Sequence, residues 1–338
     1  AMRILISTVA FPPSIGGMET AAVVLANGLA ARGHDVTVVT PMTTTERDVY
    51  PFTVVRSPDM ATLWRLTRAC DVLWQNHISL RLVWPAWLLR KPIVFMHHIW
   101  LESHSEAKTR FGGIKRLACM TGANAFVSRA LRDTARLDGP ILPNSYDEDI
   151  FRLRPEIPRD RDVAFLGRLT RSKGADLMID ALALLARQGL HLSGTVIGTG
   201  LQEPDLKAQA ASRGLADAIA FPGPLRGEDL ARMLNRHRVL VVPSRWDEAF
   251  GIVVLEALAS GCVVAVANSG GLPEALGPCG PTFARDNPQA LADVIGSLLD
   301  GSGRLENYRL QAPAHLKAFS RAAQLDACED LIHAARRG

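Results

Sequence analysis

Residues 162–174 read Asp162-Val163-Ala164-Phe165-Leu166-Gly167-Arg168-Leu169-Thr170-Arg171-Ser172-Lys173-Gly174. A short apolar run of strand length ends at a glycine. A basic loop follows, and residues 174–188 then take up a helical apolar period. The same strand–loop–helix unit recurs toward the C-terminus. Strands are predicted at Leu192–Ile197, Ala218–Phe221, Arg238–Val242 and Val263–Val266, and helices at 202–213, 252–260, 288–299 and 315–337. Toward the N-terminus, Arg3–Thr8 reads as a strand, followed by the loop Pro12-Pro13-Ser14-Ile15-Gly16-Gly17. Ala22, Leu25, Ala26, Leu29 and Ala30 then make one apolar helical stripe, closed by Gly33. Further strands are expected at Val36–Thr40, Val54-Val55, Val72–Trp74, Ile93–Met96, Ala125–Val127 and Ile141-Leu142.

Strands alternating with helices imply parallel α/β architecture, and a pattern that restarts near residue 162 implies two Rossmann-like, doubly wound modules. The polar stretch 152–161, with Pro155 and Pro158, is read as the linker, giving domains over 1–152 and 153–317. A length of 338 residues, 48% hydrophobic and 21% charged, suits two soluble domains with full cores. Five scattered cysteines, with no Cys-x-x-Cys pair, argue against a disulfide framework or a structural zinc site and favour a reducing, cytoplasmic compartment. No apolar run reaches transmembrane length. Ala1 reads as an expression scar, and the chain enters its first strand without the apolar region of a signal peptide.

A net charge of +4 is too mild for a nucleic-acid binder. Its distribution is uneven: residues 60–140 hold 12 Lys and Arg against 5 Asp and Glu. Trp84, Trp87, Leu88 and Leu89, with Arg81, Arg90 and Lys91, read either as an amphipathic basic surface for an anionic lipid or as a core-packed helix between two strands. Aromatic rings beside arginines equally suit stacking on a sugar or an aromatic acceptor.

Several motifs are mimicked but incomplete. Gly198-Thr199-Gly200 begins a dinucleotide fingerprint, but Glu203 occupies the third position, which disfavours an oxidoreductase. Residues 167–174 lack the second glycine and the hydroxyl of a phosphate-binding loop. Asp147-Glu148-Asp149 suits a solvated turn better than a metal site.

Four constellations remain. Gly16-Gly17, followed by Glu19, lies between the first strand and helix, where backbone N–H groups can meet an anion. Arg168 and Lys173 flank a helix start in a chain with 32 arginines and only six lysines, and a planar fork plus a point charge suit a diphosphate. Glu248 and Glu256 bracket the start of a helix, with amides near Phe250, Gly251, Ile252 and Val253 able to hold a phosphate between two hydroxyl-binding carboxylates. Glu256 sits on a helix apolar nearly all round and should have a partner. His97-His98 closes a strand of the first module, read either as a site or as satisfied semi-buried histidines.

In order along the chain, these residues resemble the retaining GT-B glycosyltransferases, specifically glycosyltransferase family 4. The opening loop 12–19, Arg32–Val36, the hinge-like Pro143-Asn144-Ser145-Tyr146-Asp147, Gly167-Arg168 with Lys173-Gly174, and the Glu248–Glu256 stretch with Gly270–Glu274 carry the likeness. Ser145-Tyr146 and His98 depart from the family's usual residues, on what would be the acceptor side.

The resemblance implies a nucleotide-sugar donor, a UDP-sugar before GDP-mannose, in a cleft between the modules. Glu256 would bind the ribose, and Arg168, Lys173, Gly17 and the amides of 251–253 the diphosphate. Glu248 and His97 would meet the donor sugar, and Gly198 and Gly200 would border the base. Asn144, His98 and Trp100 would lie on the acceptor side. It also implies retention of configuration, no catalytic metal or other cofactor, and a saccharide, lipid-linked or small-molecule acceptor. A C-terminal helix, about 318–338, would cross back to the first module, and peripheral membrane contact fits the basic first half. The competing readings are a phosphorylase or epimerase on this scaffold and a non-catalytic subunit that binds a sugar nucleotide.

Overall fold

The computed structural model describes residues 1–14, 17–101 and 112–337. The chain divides into two compact units, Ala1–Ser145 with Arg321–Gly338, and Tyr146–Ser320. The first unit holds β1 (Arg3–Thr8), β2 (Asp35–Thr40), β3 (Thr53–Arg56), β4 (Val72–Asn76), β5 (Ile93–His97) and β6 (Ala123–Phe126). They form one parallel sheet in the order β3-β2-β1-β4-β5-β6. The second unit holds β7 (Arg161–Leu166), β8 (Gly194–Ile197), β9 (Ile219–Gly223), β10 (His237–Val242), β11 (Val263–Ala267) and β12 (Thr282–Phe283). Their order, β12-β11-β10-β7-β8-β9, is the same doubly wound pattern.

Helices cover both faces of each sheet, so the central strands bury both sets of side chains and read as unbroken apolar runs. Val239, Leu240 and Val241 of β10 have no exposed surface. In the second unit, the helix Ala175–Arg187 packs its apolar stripe with the helix Pro288–Leu299 into one core. In the first, the helix Gly17–Ala31 packs against the C-terminal helix Arg321–Arg337. A Cβ on Gly28 would lie 2.3 Å from a Leu325 methyl, so this glycine sets the approach of the two helices. Gly33 ends the helix with φ +84° and donates its N–H to Ala30.

Two expectations are corrected. Ile141-Leu142 forms only a lone bridge, Ile141 to Phe126, rather than a strand. The stretch 152–161 is not a free linker. Arg154 is buried and donates its N–H to Asn235 Oδ1 at 2.8 Å, and Arg159 reaches the carbonyls of His237 (2.7 Å) and Ser260 (2.6 Å). The chain passes from one unit to the other after Ser145 and returns after Ser320.

Within each sheet the winding reverses between the first strand and its neighbour on the far side, β1/β4 and β7/β10. Open α/β sheets bind ligands in the crevice beyond the carboxyl ends of such a strand pair.

Candidate functional site

In the second unit, β7 runs into Gly167-Arg168 and a short turn at Arg171–Lys173, while β10 runs into Pro243-Ser244 and the loop to Gly251. The reversal point therefore carries Arg168 and Lys173 on one lip and Glu248 on the other. Lys173 Nζ donates to Glu248 Oε1 at 2.5 Å, and the buried Ser244 Oγ donates to the same oxygen at 2.6 Å. Both donors converge on Oε1, which leaves Oε2 free to accept a hydroxyl. Lys173 thus has a protein partner in Glu248. Arg168 is exposed and has no partner among the described residues.

Arg245 joins the two lips. Its guanidinium grips Asp176 through two bonds of 2.8 Å, Asp286 at 2.5 Å and the Arg171 carbonyl at 3.0 Å, and its N–H bonds to the Ser172 carbonyl at 2.8 Å. The Asp176 carboxylate raises its pKa further above an already high value. Gly174, at φ +75°, lies so close to β10 that a Cβ would stand 2.1 Å from the Pro243 carbonyl oxygen. Gly198 and Gly200 serve a similar end, since a Cβ on either would strike the carbonyl of Gly167 or Leu169. They let the loop after β8 lie on the loop after β7.

The helix Ile252–Ala259 begins at Gly251, with φ +105° and no side-chain cap. Its first amides, near Ile252 and Val253, point out of the helix start without a protein acceptor among the described residues. Phe250 is buried against Phe319, with ring centroids 5.8 Å apart. One turn into the helix, Glu256 has no hydrogen-bond partner among the described residues. Burial pushes its carboxyl up to about 7, with the negative charge of Asp147 adding. The partner that the sequence argument calls for is not found for this side chain among the described residues.

In the first unit the crevice lies beyond β1 and β4. Asn76, the last residue of β4, donates to the Met18 carbonyl at 3.2 Å, and its Oδ1 accepts from His98 Nε2 at 2.6 Å. Asn124 likewise donates to the carbonyls of Cys119 and Gly122, and its Oδ1 accepts from His97 Nε2 at 2.8 Å. Each asparagine amide is oriented by backbone carbonyls, which places the proton of both histidines on Nε2. His97 is also stacked on Phe126 at 4.7 Å. Desolvation lowers both imidazoles to about 4 and the neighbouring His77 to about 3, so all three are neutral near pH 7.

Sequence reading left open whether His97-His98 formed a site or satisfied, semi-buried histidines. Both are buried, each is held through Nε2, and each retains an unpartnered Nδ1. Asn144 is buried beside the end of this unit with an unpartnered Oδ1, and Trp100 is half-buried. Gly17 opens the helix Gly17–Ala31, and Glu19 accepts from Ser14 Oγ at 2.7 Å. Ile15 and Gly16 fall outside the described residues. The helix Leu80–Leu88 buries Leu82, Val83, Pro85 and Ala86, while the half-buried Trp84 stacks on Trp64 at 5.9 Å and the half-buried Trp87 donates its Nε1–H to Thr121 Oγ1 at 2.8 Å.

Ser244, Arg245, Asn76 and Asn124 were not read from sequence. Ser244, Asn76 and Asn124 act through Glu248, His98 and His97, and Arg245 holds the turn that carries Lys173; nothing in the spacing marks such supports. Among the described residues no group of three or more His, Cys, Asp or Glu could hold a metal ion, and no helix is long and apolar enough to cross a membrane.

The family model described as glycosyl transferases group 1 matches residues 147–315, and that described as Glycosyltransferase Family 4 matches residues 15–147. Curated relatives include the D-inositol 3-phosphate glycosyltransferases of Streptomyces griseus, 33% identical over 196 residues, and of Mycolicibacterium paratuberculosis, 34% identical over 213 residues. The matches cover 54% and 60% of this chain and 41% and 45% of those proteins, so the chain spans about half the length of the curated relatives it matches. Among solved structures, the Anabaena protein Alr3699/HepE in complex with UDP superposes with a TM-score of 0.84 at 19% identity, covering 98% of this chain and 100% of its own. Sucrose-phosphate synthase from Thermosynechococcus elongatus gives 0.78 at 20% identity, covering 98% of each chain. These likenesses show the two-sheet GT-B fold.

Proposed function

We propose, for a chain that belongs to the glycosyl transferases group 1 family, that it transfers a hexose from a nucleotide-sugar donor to an acceptor hydroxyl. The observation that carries this reading is the combination left open in the second unit's crevice: an unpartnered, desolvated Glu256, free amides one turn before it, and the free guanidinium of Arg168. A nucleoside diphosphate answers all three. Its ribose hydroxyls donate to Glu256, and its diphosphate takes the helix amides and the cation. The family supports a UDP-sugar first and GDP-mannose second.

In the proposed reaction the bond between the anomeric carbon and the leaving phosphate oxygen breaks, and a bond to the acceptor oxygen forms on the same face. The acceptor proton passes to the departing diphosphate. Arg168, Lys173 and the helix amides stabilise the charge that develops on that diphosphate, without need of a metal. Glu248, pinned through Oε1, accepts a donor-sugar hydroxyl at Oε2. The inositol phosphate named in the curated relatives makes D-inositol 3-phosphate the first acceptor to try.

The test is thermal melting with UDP, GDP and ADP, each with and without EDTA, on the wild type and on Glu256→Ala. A ligand at a hundred times its dissociation constant stabilises by about 2.7 kcal/mol. The expected result is a shift with one nucleoside diphosphate, unchanged by EDTA and abolished in the variant. No shift with any of the three would overturn the reading.

A further inference from the structure

We infer that one end of the first unit docks on an anionic membrane surface. Right-handed crossovers from β4 to β5 and from β5 to β6 put the helices Leu80–Leu88 and Gly112–Cys119 side by side on one sheet face. Both run antiparallel to the strands, so their C-termini stand at the end of the unit away from the crevice. The Trp87–Thr121 hydrogen bond ties those two C-termini together.

Four large apolar side chains project into solvent from this region: Leu88 (68% exposed), Leu117 (68%), Met120 (67%) and Ile114 (52%). Summed over the four, they expose on the order of 400 Å² of apolar surface. Leu88 ends the helix Leu80–Leu88, Ile114 and Leu117 lie on the helix Gly112–Cys119, and Met120 directly follows it. Leu82, Val83, Pro85, Ala86, Ala118 and Cys119 fill the core, so the exposed set is not needed for folding.

The charge around the patch selects the occupant. Arg90 follows Leu88, Arg116 precedes Leu117, and the Arg116 guanidinium reaches the Arg136 carbonyl at 3.0 Å, which brings Arg136 to the same edge. Neither 72–101 nor 112–132 contains an aspartate or glutamate. The acids bordering these stretches are Asp71, paired with Arg3; Glu102 and Glu106, which lie outside the described residues; Asp133, paired with Arg132; and the exposed Asp138. A second copy would bring like charges together, whereas a bilayer of anionic lipid offers an apolar interior beneath negative headgroups. The surface differs from the tryptophan-centred one that sequence suggested. Trp84 and Trp87 are half-buried, one stacked on Trp64 and the other bonded to Thr121, and the leucines and methionine at the helix ends are the more exposed groups. Docking there leaves the first unit's crevice unobstructed at the opposite end.

The test is co-sedimentation of the full chain with vesicles of phosphatidylcholine alone or mixed with phosphatidylglycerol, at low and high salt. Wild type is expected to sediment with the mixed vesicles at low salt and to stay in solution with phosphatidylcholine. Leu88→Ser and Leu117→Ser should each lower partitioning about tenfold, and Arg90→Gln and Arg116→Gln about fivefold each. Unchanged melting temperatures would show these variants folded, and their melting response to UDP keeps this inference separate from the proposed activity. Failure of wild type to bind the mixed vesicles overturns the proposal, as does wild-type binding by the Leu88→Ser/Leu117→Ser double variant. A concentration-dependent dimer in ultracentrifugation that Leu117→Ser abolishes would assign the patch to a second copy and overturn it too.

Discussion

Replacing Glu256 with glutamine should stabilise the second unit while weakening its ligand. Burial holds the folded carboxyl near 7, against 4.5 for a free glutamate. Between those values the native state binds a proton that the unfolded chain releases, so stability falls as pH rises from about 4.5 to 7 and is flat above. At about 1.36 kcal/mol per unit, the ionised carboxylate costs about 3 kcal/mol at pH 8. A glutamine side chain at this position never ionises. The Glu256→Gln variant should match wild type near pH 5 and exceed it at pH 8 by up to about 3 kcal/mol, roughly 6–12 °C in melting temperature for a unit of this size. The amide is also a weaker acceptor than a carboxylate, so UDP binding should fall about 30-fold, as for loss of a charged hydrogen bond worth about 2 kcal/mol. Melting curves from pH 5 to 8, with and without UDP, read both effects. Equal stability at pH 8, or a difference that does not change with pH, would refute the ionisation argument.

Four further outcomes are expected. Gly174→Ala forces a side chain into a left-handed backbone 2.1 Å from the Pro243 carbonyl and should cost about 3 kcal/mol, seen as a lower urea midpoint. Ser244→Ala removes the buried donor to Glu248 and should lower kcat/KM about tenfold, with Ser244→Thr retaining more activity. His77, His97 and His98 titrate at about 3 to 4 when folded and near 6.5 when unfolded, so their contribution is intact above pH 6.5 and is lost as pH falls toward 4. The first unit should therefore melt earlier in acid, opposite in sign to Glu256. Burial raises all five thiols to about 11–12, so Ellman's reagent at pH 8 should label no cysteine until denaturant is added.

The alternation of apolar runs with helical periods by itself determined two parallel α/β modules, because strands buried on both faces and amphipathic helices carry unmistakable periods. The spacing of Arg168, Lys173, Glu248 and Glu256 after strands was enough to place them at the carboxyl ends of β7 and β10. Strand order was beyond that reading. Only the assembled sheet puts β7 beside β10 and so brings Lys173 within 2.5 Å of a glutamate 75 residues away. The same limit hid Ser244, Arg245, Asn76 and Asn124, whose roles exist only through the partners that folding brings to them. It also explains the tryptophans. The sequence marked an aromatic, basic segment, but which of its side chains face water depends on how the helix Leu80–Leu88 lies against Trp64 and Thr121, and that is decided by packing between elements far apart in the chain.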